Sequence, residues 1–263
     1  MQSSIEMNTD DETFARIRLY DFTKGKQTFY QWQAGLMPDL QGKTVLELGA
    51  GNGNLWQDLL PRCENAEVLL TDISKLYLNK AKEILEPYAQ SLKSLNYDVI
   101  DFNQLDLGEQ KFDVIIANHN LFYADDLDDL LATLSQHILP GGALVCSTVG
   151  TSHLHELIAI LRSINADLPW SSEQWATQFG LENGYRMLSK YFDFVDQYEF
   201  DNNLHLRSQE PIFTYLHKTM KGELSDWVAE HEQEIQVALE KAQTDKGYIR
   251  LTPQSGFFVA HLN

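Results

Sequence analysis

The chain has 263 residues, which is long for one simple domain and fits a single α/β domain with an insertion. Its net charge is −18, with 20 basic residues against 38 acidic ones, and it has no basic run. This balance argues against a nucleic-acid partner, because such proteins neutralise phosphates with clustered Lys and Arg. No apolar run approaches the ~20 residues of a membrane span and the two cysteines make no disulfide framework, so we expect a cytoplasmic protein without a membrane partner.

Strands alternate with helices over residues 44–149, a pattern typical of a doubly wound parallel sheet. The stretch 166–190 is aromatic-rich and predicted to be less regular. In chain order, the predicted elements are strand 44–48, helix 54–60, strand 67–71, helix 75–86, strand 97–100, strand 112–117, helix 127–139, strand 143–149, helix 152–165, strand 191–200, helices 208–220 and 222–243, and strand 256–261.

The most informative segment is Gly-Ala-Gly-Asn-Gly at 49–53, which follows a strand that carries one acid, Glu47. A strand, a glycine turn and a helix bring backbone amides at a helix N-terminus close to a small ligand. A dinucleotide site requires Gly-x-Gly-x-x-Gly, and this chain has Asn54 where the third glycine belongs. The spacing therefore counts against a NAD(P) site, and a tight turn without a ligand is the structural alternative.

The run Glu-Leu-Gly-Ala-Gly-Asn-Gly at 47–53 resembles motif I of the class I S-adenosylmethionine (SAM)-dependent methyltransferases. That family holds the amino-acid end of SAM over the glycine turn. Residues 112–150 resemble motifs IV to VI of bacterial small-molecule members. Similarity to one poorly characterised subgroup extends over nearly the whole chain and rests on Arg-Ile-Arg-Leu-Tyr at 16–20, Tyr-x-Trp at 30–32, Phe179–Gly184 and Gly247–Phe258.

The resemblance implies a Rossmann-like doubly wound seven-stranded sheet that is mostly parallel, with an antiparallel last strand. It also implies an α-helical N-terminal segment and an inserted segment that covers the active site. We expect one domain over residues 1–263, with disorder at 1–9. Its parts are a core at 40–150, a cover segment at about 166–190, and C-terminal helices and last strands at 191–263.

Polar residues follow several predicted strands at their carboxyl ends, where a doubly wound sheet binds its ligands. Asp72 is placed to accept the ribose hydroxyls of a nucleoside, or else to cap the helix from 75, a role that Ser74 can fill by itself. The residues expected to bind SAM, with S-adenosylhomocysteine as product, are Glu47, Gly49, Ala50, Gly51, Gly53, Asn54, Asp72, Ile73, Asp101, Phe102 and Asn118.

Methyl transfer from a sulfonium is an in-line displacement, so the protein must align the two partners and exclude water. A hydroxyl or ammonium acceptor also needs a base. We predict His119 and Tyr123 as the catalytic residues, with a contact to loop amides as the structural alternative for His119. The family often has His where this chain has Tyr123, and its usual Leu-Pro-Phe is missing after Asp101. Further candidate bases are His153, His155, Glu182 and Tyr185.

No metal site is predicted, because His153 and His155 are two residues apart and suit neither one helical face nor a zinc helix. The predicted function is methyl transfer from SAM to a small-molecule acceptor in a bacterial protein, and a homodimer stays an alternative to a monomer. Two other functions stay open. One is a catalytically idle SAM-binding protein, and the other is a different nucleoside-cofactor enzyme, such as an aminopropyl transferase or a NAD(P) oxidoreductase.

Overall fold

The structure is a computed structural model that describes residues 19–20, 22–25, 27–220 and 222–263. The expected disorder at 1–9 and the first three residues of the motif at 16–20 lie outside this part. Two compact units are present, and the expectation of one domain over the whole chain stays a prediction. The helical unit comprises the described residues of 1–28, 152–171 and 201–254; the sheet unit comprises 29–151, 172–200 and 255–263.

The sheet unit contains a seven-stranded sheet, and the helical unit a two-stranded one. The strands are β1 (Thr44–Leu48), β2 (Glu67–Asp72), β3 (Ser94–Val99), β4 (Phe112–Asn118), β5 (Ile138–Val149), β6 (Phe194–Phe200), β7 (Leu204–Leu206), β8 (Ile249–Leu251) and β9 (Ser255–His261). The larger sheet has the order β3-β2-β1-β4-β5-β9-β6. Strand β9 runs antiparallel between β5 and β6, while β1 to β5 pair in parallel. This confirms the predicted seven-stranded sheet with an antiparallel last strand.

Helices cover both faces of the larger sheet. The helices are α1 (Phe29–Leu36), α2 (Asn54–Leu59), α3 (Lys75–Leu85), α4 (Leu127–Gln136), α5 (His155–Arg162), α6 (Ser171–Phe179), α7 (Gly184–Leu188), α8 (Glu210–Thr219), α9 (Glu223–Glu230) and α10 (Glu232–Lys241). Side chains alternate along a strand, so Val45 packs in a core with α1, α2 and α3, while Leu46 packs in a second core with α4 and α7. Burial of both faces explains why the strands read as continuous apolar runs.

The predicted helix 127–139 is too long. It ends at Gln136, and Ile138 begins β5 instead, because Ile138 pairs with Phe112 at the start of β4. The Pro-Gly-Gly at 140–142, predicted to stop the helix, lies inside β5 at a register shift. A bulge of this kind accommodates the proline and glycines without ending the strand.

Three other regions differ from the prediction. The segment 166–190 contains the helices α6 and α7, and in α6 the buried residues Ser172, Ala176 and Phe179 have helical spacing. The predicted helix 222–243 is divided into α9 and α10 at His231, whose backbone (φ −109°, ψ 16°) is not helical. The small β7–β8 sheet was not predicted, since each of its strands has three residues. Within the described residues, no helix is both long and apolar enough to cross a membrane.

Candidate functional site

The glycine turn leaves β1 and is fastened to the end of β2. The Ala50 backbone N–H donates to Thr71 O (2.8 Å), and the Gly51 N–H donates to Asp72 Oδ2 (2.9 Å). Gly51 has φ +57°, and a Cβ built on it would meet no atom within 4 Å. The turn therefore presents bare backbone to open space at Gly51, as a ligand that approaches the main chain requires.

The other two glycines have a different reason to be there. A Cβ on Gly53 would lie 2.7 Å from Leu85 Cδ1, so Gly53 lets the start of α2 pack against α3. A Cβ on Gly49 would lie 2.4 Å from Asn120 Nδ2, and that nitrogen donates to Leu48 O (2.5 Å). Gly49 and Gly53 thus serve packing within the protein, and Gly51 is the glycine of the three that borders free space.

Asp72 is both a local cap and a site for further hydrogen bonds. It is 8% exposed; its Oδ1 accepts from Ser74 N (2.8 Å) and its Oδ2 from Gly51 N (2.9 Å). Each carboxylate oxygen has two lone pairs, so each can accept one more donor. Burial raises the pKa of Asp72, although the two backbone hydrogen bonds act in the opposite direction. The Ser74 side chain caps α3 separately, by accepting from Tyr77 N (3.4 Å).

Glu47 is a buried acid at the carboxyl end of β1. It is 2% exposed, and its Oε2 accepts a hydrogen bond from Trp56 Nε1 (2.5 Å) while its Oε1 accepts from Asn118 Nδ2 (3.4 Å). Burial raises the pKa of Glu47 to about 7, with a smaller contribution from the charge of Asp72, against the effect of the two hydrogen bonds. Glu47 therefore changes its charge near neutral pH.

Gln33, on α1, belongs to the same hydrogen-bonded group and was missed by the sequence analysis. Its Nε2 donates to Asn118 Oδ1 (2.8 Å), which joins α1 to the end of β4. Gln33 is 0% exposed, and its Oε1 has no hydrogen-bond partner among the described residues; the same holds for Oδ1 of the buried Asn120. A glutamine between apolar helix residues gives no sign in the sequence of its contact with Asn118, apart from the adjacent Tyr-x-Trp at 30–32.

His119 follows β4 with a left-handed backbone (φ +50°), and its N–H donates to both O (3.0 Å) and Oγ (3.1 Å) of Ser147 on β5. Its ring lies 5.2 Å from that of Phe29 on α1. The Phe29 ring is in turn 5.6 Å from Trp32, and Trp32 is 5.0 Å from Phe200 at the end of β6. We call Phe29, Trp32 and Phe200 the aromatic cluster; these three residues were not among the predicted site residues.

Tyr123, the second predicted catalytic residue, ends a short 3₁₀ turn, Leu121–Tyr123. Its ring packs 4.7 Å from Phe122 and 6.0 Å from Trp175 on α6, and Phe122 and Trp175 are stacked at 5.2 Å. His119 and Tyr123 therefore contact different aromatic neighbours. The predicted cover segment contributes Trp175 to this group, whereas its Phe179 is fully buried in the core.

Three further predicted cofactor residues lie after β2 and β3. Asp101 accepts from Asn103 N (2.9 Å) and so caps the 3₁₀ turn Phe102–Gln104. Phe102 is half-buried, and Ile73 is 50% exposed, which is high for an aliphatic side chain in a folded protein. Asn54 is the first residue of α2.

Two of the other candidate bases, His153 and Glu182, are held by local contacts. His153, in the helical unit, is 4% exposed and bonds Tyr20 Oη (3.0 Å) through Nε2. Burial lowers its pKa to about 4, so it is neutral and a weak base. Glu182 accepts from Thr151 N and Oγ1, both at 3.0 Å, and Tyr185 is 54% exposed. In the part of the chain that the structure describes, no cluster of His, Cys, Asp and Glu could hold a metal ion.

Residues 46–144 match the model of a methyltransferase domain. The chain is 31% identical over 129 residues to malonyl-[acyl-carrier protein] O-methyltransferase 1 of Ilyobacter polytropus. The aligned region covers 49% of this chain and 46% of that protein. It is 25% identical over 223 residues to the malonyl-[acyl-carrier protein] O-methyltransferase of Calditerrivibrio nitroreducens, covering 83% and 80%. The chain spans less than half the length of several curated relatives that it matches.

A putative methyltransferase from Bacillus halodurans has the same fold, with a TM-score of 0.56 and 12% identity over 91% of this chain and 100% of that one. At this identity the likeness concerns the fold alone. The matched region begins within β1, contains the glycine turn and Asp72, and ends within β5. The region from β1 to β5 therefore resembles a methyltransferase domain, and the chain shares its fold with the Bacillus halodurans protein.

Proposed function

We propose that the protein binds SAM at the carboxyl ends of β1, β2 and β4 and transfers its methyl group to a small-molecule acceptor. The observation that carries this proposal is the open backbone at Gly51 beside the buried carboxylate of Asp72. A nucleoside with two ribose hydroxyls matches the remaining lone pairs of Asp72.

The remaining contacts are assigned along the same strand ends. Ala50, Gly51 and Asn54 form the turn and helix start that would border the amino-acid end of SAM. Glu47, near the end of β1, and Asn118, at the end of β4, would lie beside it. Ile73 and Phe102 offer apolar surface after β2 and β3, where an adenine ring would be covered. The high exposure of Ile73 is the outcome expected for a side chain that a flat ligand covers.

Bound SAM supplies an activated methyl group, so the chain has to hold and orient the acceptor and exclude water. His119 and the aromatic cluster border the end of β4, and they suit an acceptor with an apolar or aromatic body. We assign His119 to orientation of the acceptor or removal of its proton. We assign Tyr123 to another part of the lining of the acceptor site. The protein's net charge of −18 disfavours nucleic acid as the acceptor.

A carboxylate is a second acceptor class, and the names of the Ilyobacter and Calditerrivibrio relatives favour it. A carboxylic acid with an ordinary pKa of about 4 is already ionised at neutral pH, so its methylation needs no base. The two classes therefore differ in one testable respect: His119→Gln would slow transfer to a hydroxyl or amine severalfold more than transfer to a carboxylate.

The first experiment is thermal unfolding of the full chain with SAM, S-adenosylhomocysteine or NADH. Either adenosyl ligand at about 100 times its dissociation constant should add about 2.7 kcal/mol of stability. No shift with SAM or S-adenosylhomocysteine at millimolar concentration would overturn the proposal, and a shift with NADH alone would favour an oxidoreductase.

The second experiment uses methyl-labelled SAM with a cell extract, followed by separation by size. Label in the low-mass fraction supports a small acceptor, label in the protein fraction points to a carrier-bound acceptor, and label in nucleic acid contradicts the proposal. Bound SAM without turnover on either extract or a panel of hydroxyl, amine and malonyl-thioester acceptors would indicate an idle SAM-binding protein. We further propose a cytoplasmic location, which agrees with the two free, buried cysteines.

A further inference from the structure

The helices α5 and α10 pack together within the helical unit and leave a groove between them on the protein surface. The groove has a volume of about 820 Å³ and is lined chiefly by small and aliphatic side chains, among them Ile160, Ile164, Val237 and Ala238. Val237 is 48% exposed, although the same helix buries Ile235 on its other side. A groove with exposed aliphatic side chains marks an interaction surface.

The charges on α10 show what fits this groove. Glu234 and Lys241 are seven residues apart, which is close to two helical turns, so the two side chains lie on one side of the helix. Val237 and Ala238 lie midway between them on the same side. Both charged residues line the groove and are exposed. In the part of the chain that the structure describes, neither of them forms an ion pair.

This order of an acid, two apolar residues and a base is complementary to itself when it is read in the opposite direction. Two α10 helices that pack antiparallel, about a two-fold axis beside Val237 and Ala238, bring Glu234 of each copy opposite Lys241 of the other. A parallel pair would instead bring equal charges together. The pattern on α10 therefore favours a second copy of this chain as the occupant of the groove, because an interface between two identical copies must be self-complementary.

We propose that the groove between α5 and α10 is a homodimer interface, in which the α10 helix of each copy packs antiparallel in the groove of the other. Burial of Val237, Ile160 and Ile164 stabilises the dimer. Two symmetric Glu234–Lys241 pairs set the direction of the helices. An ion pair near the surface contributes little free energy, so the apolar contacts supply the affinity and the charges supply the orientation.

Sedimentation equilibrium of the full chain tests the interface. Wild type should show a monomer–dimer equilibrium, and Val237→Asp should weaken the dimer by about 10-fold or more, because it places a carboxylate among apolar side chains. Glu234→Lys and Lys241→Glu should each weaken it about 10-fold, since each change turns two attractive pairs into repulsive ones. Glu240→Lys is the matched control: Glu240 is exposed on α10 outside the groove, and the same change of charge there should leave the dimer unaltered.

A mixture of the two charge variants tests the antiparallel arrangement. Glu234→Lys has two basic residues on this side of α10 and Lys241→Glu has two acidic ones, so an equimolar mixture should form a heterodimer about as stable as the wild-type dimer. Failure of the mixture to dimerise more strongly than either variant alone would overturn the arrangement.

A wild type that stays monomeric up to roughly 0.5 mM, or a dimer that all three groove variants leave unchanged, would overturn the interface itself. Circular dichroism checks that each variant is folded. If Val237→Asp does not fold, the two charge variants and their mixture decide, since both substitutions lie at exposed positions.

Discussion

Glu47 should make the folded protein less stable as pH rises. Burial raises the pKa of its carboxyl from 4.5 to about 7, so between these values the folded state keeps a proton that the unfolded state has lost. The free energy of unfolding therefore falls as pH rises through this window, and the loss is complete above about pH 7, where both states are ionised. At about 1.4 kcal/mol per pH unit, the total loss is about 3 kcal/mol.

The substitution Glu47→Gln removes this titration. The free energy of unfolding of the variant, relative to wild type, should rise by up to about 3 kcal/mol between about pH 4.5 and about pH 8, as measured by urea unfolding at a series of pH values. The readout is this change with pH, because the glutamine amide would also disturb the hydrogen bond from Asn118 Nδ2 and shift the whole curve. Titrating groups that do not interact with Glu47 are common to both proteins and cancel in the difference, and the interaction with Asp72 makes the smaller contribution to the pKa of Glu47.

Glu64→Gln serves as the control, since Glu64 is an exposed carboxyl in the turn before β2. The change with pH measured for Glu47→Gln should exceed the change measured for this control. Parallel pH profiles for wild type and Glu47→Gln would refute the reasoning, because they would mean that Glu47 ionises equally easily in the folded and unfolded states.

Three further predictions concern single residues. Asp72→Ala should weaken binding of S-adenosylhomocysteine by ~1.5–3 kcal/mol in calorimetry while circular dichroism stays native, since Ser74 still caps α3; unchanged affinity would reduce Asp72 to a structural role. Gly51→Ala should leave a folded chain destabilised by ~1–2 kcal/mol, from its φ of +57°, and should abolish binding of S-adenosylhomocysteine; normal binding would show that Gly51 serves the turn alone. The free energy of unfolding of His153→Gln, relative to wild type, should rise as pH falls from 6.5 to about 4, because the buried wild-type ring resists protonation; parallel acid profiles of the two proteins would contradict its burial as neutral imidazole.

The core of the sheet unit could be predicted from the sequence because its information is local. Strands β1, β2 and β4 are short apolar runs bounded by glycine or by polar residues, and the glycine turn follows directly from residues 49–53. The prediction failed where long-range pairing competes with helical pattern. Ile138 extends a helical pattern in the sequence, but pairing with Phe112 puts it in β5.

The sequence by itself determined the fold class and predicted where the candidate site lies, because strand ends, glycine turns and capping residues depend on neighbours along the chain. The tertiary structure decided what each residue contributes. Three glycines that look equivalent in the sequence differ in space: Gly51 borders open space, Gly53 meets Leu85, and Gly49 meets Asn120. Gln33 reaches Asn118 across 85 positions, and the aromatic cluster joins α1 to β6. Such contacts depend on which helix covers which strand end, and no local pattern of residues contains that information.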